Sequence, residues 1–241
     1  MKRISNICLA ALLVFAAGCE GGSSAGPDTK KSEGVMTYAE YDAAAEDAEV
    51  TIEAYVQAKQ GWWEGTASLY TQDADGAYFV YSMPCTEEEY NKIGAGQKIK
   101  VSGYKGAFNG EIEVKDVTAF EIEKGTWTAP AKDVTSLLGT DDLIKSMNQF
   151  VSFKGMTIED SNGSAFLYKW DGSGAEGDDL YFNASLNGKT YTFTVESYLC
   201  DQNTDVYKAV KNLKVGDTVD MEGFLYWYEG MNPHITKVTV K

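Results

Sequence analysis

The sequence predicts an all-β protein with short helices, built from two tandem five-stranded Greek-key barrels. One observation is a repeated strand pattern, GQKIKVSGY at 96–104 and GDTVDMEGF at 216–224, in which apolar residues alternate between two glycines. A second observation is that each half opens with a strand and places a short helical stretch just before the repeated pattern. Strand, hairpin, helix, strand and closing strand is the order of a five-stranded Greek-key barrel.

Each predicted strand has a local signal. The opening strands are EVTIEAYV at 49–56 and FVSFKGMTI at 150–158, both rich in β-branched and aromatic residues. The closing strands cover 111–122 and 235–240. A hairpin at 67–83 supplies the second and third strands of the first half.

Three helical stretches carry capping signals, and a fourth has an apolar face. Thr37 with Glu40 and Thr86 with Glu89 have the spacing of a capping box, which predicts helices over 37–47 and from 86 onward. Thr140 is a suitable N-cap for a helix over 141–148. The last helix is predicted over 204–214, because Val206, Val210 and Leu213 share one face.

The chain divides at composition changes. We predict a signal peptide at 1–18, a flexible tether at 19–36, a first barrel with its N-terminal helix at 37–124, a linker with a helix at 125–148, and a second barrel at 149–241. The glycines and serines of 20–27 are typical of a flexible tether.

The N-terminus resembles that of bacterial lipoproteins. Lys2 and Arg3 precede an apolar stretch at 4–16, too short for a resident transmembrane helix, and AAGC follows at 16–19. The resemblance implies that the Cys19 thiol is acylated, which would anchor the protein to the extracytoplasmic face of a bacterial cell membrane. An ordinary secretory signal is the alternative. The remaining cysteines, Cys85 and Cys200, could form a disulfide outside the cell or stay as buried thiols.

The net charge of the chain indicates which classes of partner it favours. The chain has 21 Lys and Arg residues against 36 Asp and Glu residues, a net charge of −15, and its only arginine is Arg3 in the predicted signal. Because phosphate binding depends on Lys and Arg, this balance disfavours nucleic acid as a partner. The field of such a chain favours cations or neutral ligands.

Motifs for catalysis and for metal binding are weak. The sequence has no Ser-His-Asp, Walker, H-E-x-x-H or C-x-x-C pattern, and its single histidine is His234. DADG at 73–76 begins like a calcium loop, but the twelfth position, where an EF-hand needs glutamate, is Pro84. The acidic stretch at 171–179 offers oxygen ligands or a solvated loop. We expect no enzyme, cofactor or metal; catalysis through carboxylates is the alternative.

The hairpin at 67–83 has two possible registers. A two-residue turn at Asp75-Gly76 pairs Tyr70 with Tyr81, whereas a four-residue DADG loop pairs Tyr70 with Phe79. The registers differ by an even shift, so Tyr70, Phe79 and Tyr81 share one face in both. Leu69, Tyr78 and Val80 share the other face.

The first half resembles the anticodon-binding-like OB domains found in many exported bacterial proteins. The similarity lies in GQKIKVSG at 96–103 and in the Asp-Gly hairpin before it. The second half departs from the pattern, with a longer hairpin and a longer loop after Gly223. The resemblance covers about 48–124 and 149–241. It implies that ligands bind on the face of strands two and three and their flanking loops.

Aromatic residues concentrate in these regions of both halves. The candidate ligand-binding residues are Trp62, Trp63, Tyr70, Phe79, Tyr81, Trp170, Tyr226, Trp227, Tyr228 and His234. Such rings stack on sugars, anchor protein partners, or fill barrels and the interface between them. We predict a non-catalytic binding module for a protein or a neutral saccharide. The alternative is an OB-fold protein that binds single-stranded nucleic acid or assists a nuclease, although such proteins prefer a basic groove.

Overall fold

The structure, a computed structural model, describes residues 26–241. The predicted signal peptide, the lipidation residue Cys19 and the first part of the tether lie outside these residues. Within 26–241, no helix is long and apolar enough to cross a membrane.

The first half forms a closed five-stranded barrel with strand order β1-β2-β3-β5-β4. Its elements are α1 (Tyr38–Ala43), β1 (Glu49–Lys59), β2 (Thr66–Gln72), β3 (Ala77–Pro84), α2 (Glu87–Lys92), β4 (Gln97–Phe108) and β5 (Glu111–Thr126). β3 runs parallel to β5, and the other pairs are antiparallel. The core inside the barrel contains Ile52, Leu69, Val80, Ile99 and Val101.

The second half repeats this topology. Its elements are β6 (Lys132–Asp133), β7 (Phe150–Ile158), β8 (Leu167–Tyr168), β9 (Leu180–Leu186), β10 (Lys189–Val195), α3 (Asp205–Lys211), β11 (Thr218–Phe224) and β12 (His234–Val240). β7, β11, β12, β10 and β9 close into a ring, because β9 also pairs with β7. The parallel pair is again the third strand with the fifth, β10 with β12. The predicted fold class, two five-stranded Greek-key barrels with a helix between the third and fourth strands, is confirmed.

The two faces of the β9–β10 hairpin differ. Phe182 and Phe193 pair across the hairpin and belong to the core of the second barrel. The next pair, Asn183 with Thr192, points outward and is joined by a side-chain hydrogen bond of 2.9 Å. The outer face of this hairpin is therefore more polar than that of β2–β3, although Tyr181 also lies on it.

The glycines that end the repeated pattern have equivalent positions and structural roles in the two barrels. Gly103 lies where the pairing of β4 with β5 shifts, and a Cβ there would approach the carbonyl oxygen of Lys115 to 2.7 Å. Gly223 lies at the shift between β11 and β12, and a Cβ there would collide with the carbonyl oxygen of His234. Glycine thus allows the neighbouring strand to approach closely where the barrel bends.

Two of the three predicted helix caps form. The capping boxes at Thr37 and Thr86 form, and the Thr204 side chain caps α3. The predicted α-helix at 141–148 is instead a 3₁₀ helix, Asp141–Ser146. Its expected cap is missing because the Thr140 hydroxyl donates to the Leu137 carbonyl at 2.8 Å, a local side-chain bond that competes with capping.

Parts of the predicted tether and linker pack on the barrels. Asp28 donates its backbone N–H to the Tyr55 hydroxyl at 3.0 Å, so the chain lies against the first barrel well before residue 37. In the linker, Val134, Leu138 and Leu143 join the core of the second barrel. The described part of the predicted tether therefore contacts the first barrel, and the predicted linker contributes apolar side chains to the second.

Cys85 and Cys200 are free thiols, and both are buried. Burial raises the pKa of both, to about 12 for Cys200. The structure therefore agrees with the buried-thiol alternative. Because their pKa values are raised, neither cysteine is a reactive thiolate at neutral pH.

Replacing either repeated glycine by alanine should destabilise the protein. We expect Gly103→Ala and Gly223→Ala to lower the free energy of unfolding by about 2–3 kcal/mol each, because a Cβ forces a neighbouring strand backbone to move. Gly94→Ala is the matched control, since nothing lies within 4 Å of its Cβ position. Urea unfolding measures the difference. Equal stability of all three variants would contradict the proposed role of close strand approach.

Candidate functional site

The DADG tip between β2 and β3 is a structural turn. Tyr70 pairs with Phe79 and Gln72 with Ala77, so the four-residue loop is the register present. Asp73 Oδ1 accepts from the N–H groups of Asp75 and Gly76, both at 2.8 Å, and Oδ2 accepts from the Tyr78 hydroxyl at 3.0 Å and from Lys31. Both oxygens of this buried carboxylate are therefore used by the protein itself.

The hairpin separates its side chains onto the two faces as predicted. Leu69, Tyr78 and Val80 belong to the core of the first barrel. Tyr70 and Phe79 point outward, with ring centroids 4.9 Å apart. Tyr81 follows on the same side, 6.4 Å from the Phe79 ring, and is half exposed. An apolar outward face of this kind needs something to cover it.

The second barrel covers this face. Phe224 stacks on Tyr70 with centroids 4.4 Å apart and an angle of 23° between the planes. The Tyr70 hydroxyl and His234 Nδ1 are 2.6 Å apart. Tyr226 stacks on His234 at 4.5 Å and meets the Phe79 ring edge-on at 5.3 Å. The aromatic face of β2 and β3 is thus the interface between the barrels.

This arrangement corrects the role predicted for three candidates. Tyr70, Phe79 and His234 were predicted to contact a ligand, but they are 0%, 2% and 6% exposed. A molecule in solution cannot reach them while the barrels are packed together. Their physical role is to bury the outward face of the first barrel, which was the other possibility for these aromatic residues.

Buried acidic groups also lie at the interface. Glu111 is fully buried, and its Oε2 accepts from the backbone N–H of Trp227 at 2.8 Å. Burial raises the pKa of Glu111 to about 8. Glu196 is 8% exposed, and burial together with the nearby Asp179 raises its pKa to about 7. Burial has the opposite effect on His234, lowering its pKa to about 3.

One edge of the interface opens into a cleft of about 360 Å³, here called the aromatic cleft. Its lining comprises Gln60, Gly61, Trp63, Thr66, Ala67, Ser68, Tyr81 and Ser82 of the first barrel, with Glu196 and Tyr198 of the second. Three of these residues, Trp63, Tyr81 and Tyr198, are large rings that are 65%, 50% and 67% exposed. Two barrels therefore contribute rings to one cleft.

A tight turn holds the tryptophans of the β1–β2 loop. Trp63 and Thr66 exchange backbone hydrogen bonds of 3.0 and 2.9 Å around Glu64 and Gly65, which have φ values of 46° and 84°. Two consecutive left-handed residues form a hairpin turn of the I′ kind. The Trp62 indole N–H donates to the Cys85 carbonyl at 3.0 Å, so Trp62 braces the loop while Trp63 faces the cleft.

Tyr198 and Glu196 were not among the predicted candidates. The Tyr198 carbonyl accepts from the Gly61 N–H at 2.8 Å, and Glu196 Oε2 accepts from the Gln60 side chain at 3.2 Å. These two bonds fix the segment after β10 against the first barrel. A sequence pattern could place Tyr198 after a strand, but it carried no signal that this segment meets the other barrel.

The remaining candidates lie elsewhere. Trp170 is 76% exposed in the loop between β8 and β9 and does not line the aromatic cleft. Tyr228 pairs with Phe108 of the first barrel, with centroids 5.9 Å apart. Trp227 packs over Gly110, where a Cβ would come within 2.9 Å of the indole. The structure therefore divides the predicted aromatic residues among the interface, the cleft and isolated positions.

The acidic loop at 171–179 is organised by its own hydrogen bonds. Asp171 accepts from the Ser173 N–H at 3.0 Å, and Asp179 Oδ1 accepts from Ser197. Within residues 26–241, no group of three His, Cys, Asp or Glu side chains is arranged to hold a metal ion.

The chemistry that the aromatic cleft offers is ring stacking next to neutral polar groups and one acidic group.

Comparisons with known proteins bear on the fold alone. The chain matches no protein-family model and no curated protein. Among solved structures it is similar to the p204 HINb domain, with 10% identity over 82% of this chain and 100% of that chain and a TM-score of 0.37. It is also similar to the single-stranded DNA binding protein from Thermus aquaticus, with 14% identity over 82% and 96% of the two chains and a TM-score of 0.28.

A third similarity, to the hypothetical protein ygiW from E. coli, covers 37% of this chain and 89% of that chain at 15% identity, with a TM-score of 0.27. Because these TM-scores are low, the assignment of the fold rests on the strand order of the chain itself. A closed β1-β2-β3-β5-β4 barrel with a helix between its third and fourth strands is the OB fold. The chain is a tandem OB-fold protein.

Stability should fall as pH rises from about 4.5 to about 8 because of Glu111. Its folded pKa of about 8 exceeds its ordinary value of 4.5, so the folded state binds more protons between these values. Its contribution is fully present below about 4.5 and is lost as pH rises to about 8. We expect Glu111→Gln to flatten the fall by up to about 1.4 kcal/mol per pH unit.

Urea unfolding between about pH 7 and 8.5 measures this slope, with Glu196→Gln present in both proteins because the raised pKa of Glu196, about 7, gives a fall of the same sign. The window avoids the opposing effect of His234, whose contribution is lost as pH falls from 6.5 to about 3. Glu64→Gln, at an exposed turn, is the control and should leave the slope unchanged. A wild-type slope that persists in Glu111→Gln would show that this carboxyl is not the group responsible.

Proposed function

We propose that this protein is a lipoprotein, anchored through Cys19 on the extracytoplasmic face of a bacterial membrane, and that its aromatic cleft binds a neutral saccharide. The observation that carries the proposal is the group of three exposed rings, Trp63, Tyr81 and Tyr198, around one cleft. Exposed tryptophan and tyrosine side chains grouped in a concave site are a feature of binding surfaces rather than of ordinary protein surface.

The polar groups of the cleft suit a neutral ligand. Gln60, Ser68 and Ser82 offer side-chain donors and acceptors next to the rings, and the described lining residues include no lysine. A sugar presents an apolar C–H face for stacking and hydroxyl groups for hydrogen bonds. A volume of about 360 Å³ lies at the lower end of the usual range for small-ligand sites, about 300–1,000 Å³. A protein partner that inserts one side chain is the other neutral occupant.

Single-stranded nucleic acid is the second candidate ligand. Bases stack on the same kinds of ring, and OB barrels commonly bind oligonucleotides on the face of strands two and three. Here the second barrel takes up the middle of that face, and Glu196 adds an acidic group at its edge. With a net charge of −15, the chain would repel a polyanion, so we favour the saccharide.

The anchor would keep the cleft near the membrane. Residues 20–27 separate Cys19 from Asp28, which is already bonded to the first barrel. The nine residue steps from Cys19 to Asp28 span at most about 32 Å. The barrels would therefore stay within reach of molecules at the membrane surface or in the adjoining cell envelope.

Removing a cleft ring should weaken saccharide binding. On a glycan array and in titrations with the glycan it identifies, we expect Trp63→Ala and Tyr81→Ala to lower affinity about 10-fold, equivalent to about 1.4 kcal/mol. Trp170→Ala is the matched control, because it removes an equally exposed tryptophan outside the cleft.

Salt dependence separates the two ligand classes. Oligo-dT binding that weakens steeply between about 50 and 200 mM salt would favour the nucleic-acid alternative, whereas stacking on a neutral sugar should hardly change. Binding of neither ligand class, or equal losses in Trp63→Ala and Trp170→Ala, would refute the proposed site.

The lipid anchor has its own test. Radiolabelled palmitate should be incorporated into the wild-type protein in bacterial cells and should be absent from Cys19→Ala, because acylation requires that thiol. Cys85→Ala is the control and should keep the label, since its thiol is buried. Label that persists in Cys19→Ala would refute anchoring at this residue.

A further inference from the structure

The rings of the aromatic cleft continue onto the second barrel. Tyr81, which lines the cleft, and Tyr226 of the second barrel both border the Phe79 ring, with centroids 6.4 and 5.3 Å from it. Phe79 itself is buried, whereas Tyr226 is partly exposed. An aromatic surface open to solvent therefore leads from the cleft along the junction of the two barrels.

Tyr181 lies beside Tyr226 on the outer face of the β9–β10 hairpin. Tyr181 pairs with Thr194 across the two strands, and the Thr194 hydroxyl donates to Asn232 Oδ1 at 2.7 Å. The Asn232 N–H in turn donates to the Tyr226 carbonyl at 2.9 Å. These contacts place two tyrosines side by side, with a hydroxyl and an amide group between them.

Two further rings complete the row. Burial raises the pKa of Tyr181, and Glu196 and Tyr228 add to this effect, so both lie near its hydroxyl. The Tyr228 ring lies 5.9 Å from that of Phe108 in the first barrel, and the two residues are 46% and 53% exposed. Because Glu196 also lines the aromatic cleft, the row adjoins the cleft at one end. The surface is here called the tyrosine seam and comprises Tyr81, Tyr226, Tyr181, Tyr228 and Phe108.

Both barrels hold the far end of the seam in place. The Glu229 N–H, next to Tyr228, donates to the Asn109 carbonyl at 2.7 Å, which joins the loop after β11 to the tip of the β4–β5 hairpin. Asn109 and Gly110 have φ values of 49° and 94°, a tight turn that positions Phe108. Since these rings are fixed before a ligand arrives, stacking on them costs little conformational entropy.

The charges along the seam favour a neutral ligand. The carboxyls of Glu111, Glu113 and Glu196 lie near its middle, and burial raises the pKa of each. In the ionised form they repel an anion, and in the protonated form they are neutral. Lys115, whose charge reaches Glu113, already pairs with Asp47 at 2.8 Å. The described residues that form the seam include no lysine to offset a negative charge on a ligand.

We propose that the ligand of the aromatic cleft is a linear neutral oligosaccharide that extends from the cleft along the tyrosine seam. The inference rests on the saccharide function proposed above and adds the length and direction of the ligand. One end of the chain stacks in the cleft, and the following sugar units place their apolar C–H faces on the rings of the seam. Their hydroxyl groups bond to the neighbouring amide and hydroxyl side chains. A disaccharide uses the cleft alone.

Oligosaccharides of defined length test the extension. Among the cello-, malto- and xylo-oligosaccharides, we expect the series that binds to gain about 10-fold in affinity from the disaccharide to the hexasaccharide, because further units stack on the seam. Isothermal titration of the purified protein with each member measures this gain. Equal affinity for all lengths would overturn the extension and leave the cleft as the site. Failure of every member to bind at millimolar concentration would overturn both proposals.

Variants at the far end of the seam test the named rings. Tyr228→Ala and Phe108→Ala should each lower the affinity for the hexasaccharide about 10-fold and leave that for the disaccharide unchanged. Tyr228→Phe should keep the wild-type affinity, because the stacking ring remains. Both side chains are exposed, so the thermal midpoint should not move. Trp170→Ala is the matched control for loss of an exposed ring. Unchanged hexasaccharide affinity in both alanine variants would refute the seam.

Trp63→Ala separates this proposal from the one on which it rests. It alters the cleft, so it should weaken binding of short and long chains alike. Losses in Trp63→Ala with none in Tyr228→Ala would keep the saccharide site and overturn the seam. Oligo-dT that binds in place of every saccharide, and is lost in Tyr228→Ala, would assign the seam to single-stranded nucleic acid and overturn both proposals.

Discussion

The architecture depends on burying one outward-facing aromatic surface. A β-hairpin whose two faces are both apolar cannot leave one of them in water, and in the first barrel Tyr70 and Phe79 occupy the face that the barrel core does not use. Phe224, Tyr226 and His234 of the second barrel cover them, and the bond between Tyr70 and His234 satisfies the polar atoms enclosed there. The aromatic cleft exists because this contact stops short of the end of the hairpin that lies away from the DADG tip.

The same contact explains why acidic groups have unusual protonation in this protein. Glu111 and Glu196 lie at the borders of the aromatic contact, where burial raises the pKa of both carboxyls. The folded state is therefore favoured where these carboxyls carry protons.

Local features were predictable from the sequence, and contacts between the halves were not. The glycine-bounded strand pattern, two capping boxes and the division of the hairpin into two faces depend on residues that are near in the chain. Choosing between the two hairpin registers required the bonds of Asp73, which the pattern does not encode. Likewise, periodicity showed that Tyr70 and Phe79 share a face, but it could not tell whether a ligand or the second barrel covers it. Tyr198 lies in the aromatic cleft because the segment after β10 packs against the first barrel, a long-range contact that the sequence pattern does not indicate.

The polar outer face of the β9–β10 hairpin has a consequence for assembly. The two barrels meet through different surfaces, the hairpin face of the first and an end of the second. This contact is of the head-to-tail kind, in which two different surfaces meet. If every barrel offered both surfaces, further barrels could add without limit and form a filament. In the second barrel, the hairpin that corresponds to β2–β3 presents Asn183 and Thr192, bonded to each other, with Tyr181 and Thr194 as the neighbouring pair on the same face. The outer face of this second hairpin therefore differs from the aromatic face by which the first barrel contacts its neighbour.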